Sequence, residues 1–215
     1  MASWSDDYGH AWTSYGGVTL GAAYAESDGI AGSYIGTGDE PDMEITGDLE
    51  IEFDMALASW GWVAIRAFGA VATSASVDHP WQFGATWNTA PGQFFFKVQL
   101  AGGMEEVLSS AAPGLGANAR GLIKITREVS SGDVKFYVDG GQLGTTQSTT
   151  AGAIVYEEAN ARIAATGDGT AQPSAGKFYS MAIKDGLGGP VVAKFDAAGA
   201  YNEVFGDSML TLGVG

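Results

Sequence analysis

Residues 49–57 read Leu-Glu-Ile-Glu-Phe-Asp-Met-Ala-Leu. On an extended strand, residues i and i+2 share a face, so Glu50, Glu52 and Asp54 form one acidic row opposite Leu49, Ile51, Phe53, Met55 and Leu57. Neighbours in such a row lie about 7 Å apart at Cα. Side-chain lean could bring two carboxyls within the about 5–5.5 Å that a retaining glycosidase needs. The same row on a solvated sheet face would be three like charges with no chemistry. Aromatic residues supply a second pattern. Trp60 and Trp62 flank Gly61 and share a face; Trp81, Phe83 and Trp87 share another, opposite Gln82, Thr86 and Asn88. Aromatic faces stack on sugar rings, and amides and carboxylates take sugar hydroxyls, but rings of this size also fill sandwich cores. Trp81, Phe83 and Trp87 are expected in the core. Trp60 and Trp62, at a strand start next to Ser59, suit a rim as well as a core. The candidate ligand-binding set is therefore Trp60, Trp62, Asn88, Glu50, Glu52 and Asp54. His10 and His79 are the only histidines, and neither stands with a Ser or Cys nucleophile in a recognisable motif. There is no phosphate loop and no His-Glu-x-x-His. A non-enzymatic role is expected, with a glycoside hydrolase on the Glu50/Glu52/Asp54 strand as an alternative.

These residues must be positioned by strands. The chain has 33 glycines, and no 12-residue window carries a glycine-free 3.6-residue apolar stripe, so helix is not expected. Short alternating or apolar segments predict strands near 30–37, 43–57, 60–68, 81–88, 93–100, 104–109, 120–129, 133–139, 153–157, 161–166, 177–184 and 191–196. Val134, Phe136 and Val138 alternate with Lys135, Tyr137 and Asp139 before Asp139-Gly140-Gly141, the mark of a strand entering a tight hairpin. Tyr179, Met181 and Ile183 alternate likewise and end at Asp185-Gly186. So many short strands predict an all-β, antiparallel two-sheet sandwich or jelly roll. Residues 1–29 hold Trp4, Tyr8, Trp12 and Tyr15 among Gly and Ser. They read as an aromatic arm before a sandwich over 30–197. Residues 198–215 read as a tail packing on the sandwich or on a neighbouring subunit, and with such arms a homo-oligomer is expected.

With 215 residues, 46% of them hydrophobic, the chain can bury a sizeable core without staples. It has no cysteine, hence neither disulfides nor thiolate metal sites. No 18-residue apolar run predicts membrane insertion, and the acidic start lacks the basic and apolar regions of a signal peptide. Net charge is -15. The first basic residue is Arg66, so twelve acidic residues precede any cation. Nucleic-acid partners are excluded on this balance, because they require clustered Lys and Arg.

Three segments carry a family resemblance: GSYIGTGDEPDMEITGDLEIEFDMAL (Gly32–Leu57), RGLIKITREVSSGDVKFYVDGGQLG (Arg120–Gly144) and GKFYSMAIKDGLGGPVVAKFDAA (Gly176–Ala198). From Ala31 to about Ala197 the chain resembles the laminin-G / concanavalin A-like superfamily. The I-T-G-D-L-E-I and K-D-G-L-G-G-P-V-V-A-K-F-D runs look like domains in minor tail or other virion proteins of actinobacterial phages. The resemblance implies a jelly roll with a ligand site on one sheet face or at the loop rim. It points to a tail-associated, extracellular virion protein that binds a cell-surface glycan, or else to a structural capsid decoration or assembly protein that meets other virion proteins. Some glycosidases of this fold carry Glu-x-Asp-x-Glu where this chain has Glu50-x-Glu52-x-Asp54, with the last acid shortened. Such domains often hold Ca²⁺ at the loop rim. The oxygen ligands to match are Asp39, Glu40 and Asp42 in the Gly38–Asp42 turn and Asp168 in Thr166-Gly167-Asp168-Gly169, where ordinary turn chemistry is the other reading.

Overall fold

The computed structural model describes residues 1–60, 66–72, 80–85, 92–156, 160–165 and 172–210, with residues 39, 66–72 and 205–210 described by backbone alone. Among these, one sheet runs in the order β1 (Ser3–Ser5), β2 (Ala11–Tyr15), β5 (Tyr34–Asp39), β15 (Asn160–Ile163), β7 (Arg66–Ala72), β8 (Trp81–Ala85), β9 (Phe94–Leu100), β10 (Gly103–Leu108). The second runs β13 (Gly141–Gln142), β12 (Asp133–Val138), β11 (Arg120–Arg127), β6 (Leu49–Leu57), β16 (Ala175–Asp185), β4 (Ala25–Asp28), β3 (Thr19–Leu20). Strand β14 (Gln147–Ser148) adds to β12, and β17 (Val191–Asp196) adds to β16. The pairings are antiparallel, so the molecule is the two-sheet antiparallel sandwich that the alternation predicts.

Alternation decides the layers. On β6, Leu49, Ile51, Phe53, Met55 and Leu57 are buried. They meet Trp81, Phe83, Phe94 and Phe96 of the opposite sheet, which are all buried too. Phe83 bridges the layers, with ring centroids 6.0 Å from Phe53, 6.2 Å from Phe136 and 5.6 Å from its sheet neighbour Phe94. Offset and tilted ring pairs at this spacing add to what their burial contributes. At the tip of the β12–β13 hairpin, Asp139 (φ 50) and Gly140 (φ 83) are both left-handed, as a two-residue type I′ turn requires.

Four expectations are corrected. Residues 1–29 are not an arm, because they supply β1 and β2 to one sheet and β3 and β4 to the other. Trp4 and Trp12 are core residues, 5.9 and 6.0 Å from the Phe195 ring. The strand predicted over 43–57 begins only at Leu49; a 3-10 turn (Pro41–Met43), where Pro41 lacks an N–H for a sheet ladder, and a loop precede it. Residues 153–156 form no strand either. Finally, helix α1 (Ala197–Leu210) follows β17. Asp196 starts it, its carboxylate accepting the N–H groups of Ala198 (3.1 Å) and Gly199 (3.5 Å) as an N-cap does. Ala197 and Ala200 are buried against the sandwich. The helix is longer than any sequence periodicity suggests because an alanine-lined docking face substitutes for a broad apolar stripe.

Candidate ligand-binding face

Strand β6 places Glu50, Glu52 and Asp54 on the outer face of the second sheet, opposite the core. The register sets what surrounds them. Across β11, Thr126, Lys124 and Leu122 stand opposite Glu50, Glu52 and Asp54; across β16, Lys184, Ala182 and Ser180 do. Lys184 Nζ lies 2.6 Å from Glu50 Oε1 and 3.1 Å from Glu52 Oε2, and Lys124 Nζ lies 3.9 Å from Glu50. Burial alone would raise the Glu50 pKa; the hydrogen bond from Lys184, the charges of Lys124 and Lys184, and the Gly188 N–H outweigh it and hold the carboxyl below its ordinary value. A general acid for glycoside cleavage needs the opposite shift. The acidic row is thus a set of structural ion pairs, and Glu50, 5% exposed beneath Lys184, does not face solvent as a ligand-binding residue would.

Asp54 differs. Its two oxygens accept Arg120 Nε at 2.7 Å and Nη2 at 2.6 Å, a bidentate fork. The same guanidinium lies 3.7 Å from the Tyr179 ring centroid, and the Arg120 side chain stays 56% exposed. Its Nε–Nη2 edge is thus held by Asp54 while more than half of the side chain stays open to solvent. Tyr179 owes its place to a bulge: the β16–β6 register shifts between Phe178 and Ser180. Phe178, Met181 and Ile183 therefore point inward and are buried, whereas plain alternation puts Tyr179 with Met181. An extra residue re-aims side chains in this way.

Tyr179 belongs to a row. Lys177 Nζ sits 4.3 Å from the Tyr24 ring centroid, Lys124 Nζ 4.9 Å from that of Tyr137, and Tyr24 meets Tyr179 edge-on at 5.7 Å. Arg120, Lys124, Lys135, Lys177, Lys184 and Lys194 all lie on this outer face, each flanked along its strand by a buried residue. They are six of the chain's ten basic residues, gathered on one face of an acidic protein. Between β16, β17 and the Ala22–Ala23 turn the face dips into an open groove of about 410 Å³, lined by Asp54, Arg120, Tyr179, Ser180, Lys194 and Asp196.

Of the other candidates, Trp60 is a core residue: it is 4% exposed, donates Nε1–H to the Ala119 carbonyl at 3.1 Å and packs against Phe94 at 6.3 Å. Its apolar body joins the inter-sheet cluster, so its ring cannot stack on a solvent-borne ligand. Trp62, Asn88 and Asp168 lie outside the described residues, as does the side chain of Asp39. Asp42 lies beside His10, with Nε2 at 3.0 and 3.1 Å from its two oxygens. A donor set of that kind does not match the roughly six to eight oxygens calcium takes. Of the residues that line this groove, Arg120, Tyr179 and Lys194 were not among the sequence candidates. The cue was available for Arg120, the first basic residue of the Arg120–Gly144 segment. Tyr179 was hidden by its bulge.

No known protein family matches the sequence, and no curated protein does. Solved structures do match in fold. One is the CBM40 domain of the Ruminococcus gnavus IT-sialidase, bound to α2,3-sialyllactose: TM-score 0.55, 14% identity, 77% of this chain and 93% of that one. Another is the binding domain of botulinum neurotoxin DC in complex with SialylT: TM-score 0.58, 12% identity, 94% of this chain and 47% of that one. A third is the leech intramolecular trans-sialidase complexed with 2,7-anhydro-Neu5Ac: TM-score 0.54, 12% identity, 81% of this chain and 26% of that one. These likenesses are of fold, and none extends to the level of sequence.

Proposed function

We propose that the chain is a non-catalytic glycan-binding domain and that it binds on the outer face of the second sheet, in the groove at Arg120 and Tyr179. The observation that carries this reading is the pre-ordered guanidinium. Arg120 is fixed by the Asp54 fork below and the Tyr179 ring beside it, so little side-chain entropy is lost when its remaining N–H donors take a carboxylate or a pair of hydroxyls. A sugar carboxylate is the favoured partner, because Arg120 and Lys194 line the groove and the guanidinium carries more N–H donors than the two that Asp54 takes. Sandwiches of similar fold solved with sialylated ligands support that choice. Leu122, exposed beside Asp54 in the register, adds an apolar edge for a pyranose ring. The resemblance of the Ile45–Ile51 and Lys184–Asp196 segments to virion domains supports a place on the surface of a phage particle, where such a domain would meet host glycans.

A glycan array carrying sialylated and neutral oligosaccharides tests the reading. Binding to sialylated members is expected, weakened roughly tenfold or more in Arg120→Ala by loss of a charge-assisted contact and reduced in Tyr179→Ala, both variants remaining folded. A flat array, or binding untouched by either substitution, rules the groove out.

A further inference from the structure

We infer that His10, Glu40 and Asp42 form a binding site for a first-row transition-metal dication of the Zn²⁺ class. The three residues come from two segments far apart in the chain. Asp6 builds the β1–β2 turn that delivers His10: its Oδ1 accepts the N–H groups of Tyr8 (3.0 Å) and His10 (2.9 Å). The other oxygen, Oδ2, accepts His10 Nδ1 at 2.9 Å, Trp12 Nε1 at 3.1 Å and the Lys194 N–H at 3.1 Å. A carboxylate so fully engaged keeps a proton on Nδ1, leaving Nε2 to hold either a proton toward Asp42 or a metal ion. Carboxylate–histidine pairs of this kind are what orient metal-binding imidazoles. The ring itself is 2% exposed, so it cannot turn away.

Nε2 faces Asp42, and one ligand atom from each of His10, Glu40 and Asp42 lies within 4.8 Å of the others. Asp42 sits on the Pro41–Met43 turn and Glu40 caps its start; Pro41 stiffens the turn and the buried Met43 anchors it. Asp42 is 58% exposed at its side chain, which leaves a coordination position open to water. Nε2 and the Asp42 oxygens stand 3.0–3.1 Å apart, the spacing of the hydrogen bond that a proton on Nε2 makes, and a metal ion would take that place by displacing the proton. Ligand atoms on a tetrahedral ion with bonds of about 2.0–2.1 Å stand roughly 3.3 Å apart, so a small outward swing of Asp42 admits one. An imidazole nitrogen with two carboxylates favours Zn²⁺, Mn²⁺ or Ni²⁺ over Ca²⁺ or Mg²⁺. His10, Glu40 and Asp42 take no part in the sugar groove, although Asp6 also accepts the N–H of Lys194 from its lining.

Titration of the untagged full chain with Zn²⁺, Ca²⁺ and Mg²⁺ tests it, read by calorimetry and by the ring ¹⁵N resonances, with His79 as internal reference. The expected result is one Zn²⁺ per chain, a shift of the His10 Nε2 resonance with Nδ1 still protonated, and a higher Tm with Zn²⁺ bound. Glu40→Gln and Asp42→Asn should each weaken Zn²⁺ about tenfold or more and remove the Tm increment. Zn²⁺ binding of equal strength in both variants, a shift confined to His79, or equal preference for Ca²⁺ overturns the inference.

Discussion

Glu50 shows at the scale of one residue how an apparent catalytic pattern becomes a structural one. Its carboxylate is nearly covered, and Lys184 hydrogen-bonds it from the neighbouring strand. Replacing it by Gln leaves Lys184 with Glu52 alone. Loss of a charge-assisted hydrogen bond of this kind costs about 1.5–3 kcal/mol, measurable as a lower urea midpoint at neutral pH. The pH dependence has a definite sign. The folded-state pKa of Glu50 is lowered from 4.5, so its stabilisation is complete above that value and fades as pH falls through the lower, folded pKa. Unfolding followed from neutral pH downward should therefore show Glu50→Gln and the parent converging in acid. A constant gap between them would mean that the ion pair contributes nothing. The acidic row itself was legible in the sequence, because period-two alternation names a face without further information. The cations that neutralise it were not, because Lys184 reaches Glu50 only through a strand pairing 134 residues away.

Elements were legible where turn chemistry and alternation agreed. The β11, β12 and β17 segments fall within a residue or two of expectation, and Asp139-Gly140 forms the hairpin turn its sequence demands. What could not be seen was a single inserted residue. The bulge at Tyr179 turns the predicted inner face outward there, and that residue became part of the candidate groove. The short strands of residues 1–29 also escaped, since two to five residues of Ser, Thr and Trp give too brief a period. Two glycines separate backbone need from packing need. Gly140 has φ +83, and a Cβ added there would meet nothing within 4 Å, whereas Gly132 has φ +77 and a Cβ there would stand 2.1 Å from the Thr149 carbonyl oxygen. Gly140→Ala should cost about 1–2 kcal/mol for the left-handed conformation alone. Gly132→Ala should cost clearly more, because it also displaces the Thr149–Gly152 loop that Arg127 holds through the Thr150 and Gly152 carbonyls. Thermal unfolding of the two variants side by side checks the order, and equal losses would mean that the loop yields freely.

At the scale of the whole molecule, the two sheets are closed at one edge by parts from both ends of the chain. Trp4 and Trp12 from the first strands pack on Phe195 from the last, and Ser5 N–H donates to Glu203 of α1 at 3.1 Å. Lys194 N–H donates to Asp6 on the other side of the same seam. An arm hung on a finished sandwich could be removed with little effect; strands shared between both sheets cannot. Deleting residues 1–29 strips two buried tryptophans, each contributing about 3–5 kcal/mol, from a fold whose total stability is of the order of 5–15 kcal/mol. It also uncovers the flanks of β5 and β16, both strand edges that would then be open to pairing with other chains. The shortened chain should therefore lose its cooperative unfolding transition and aggregate. A monomeric chain of residues 30–215 with a sharp denaturation curve would show instead that the core closes without its first four strands. The same truncation also reaches the proposed glycan groove, because the Ala22–Ala23 turn forms one wall of it. If the two ends of the chain close the sandwich together, glycan binding and folding must be lost together in the truncated chain, whereas Arg120→Ala separates them.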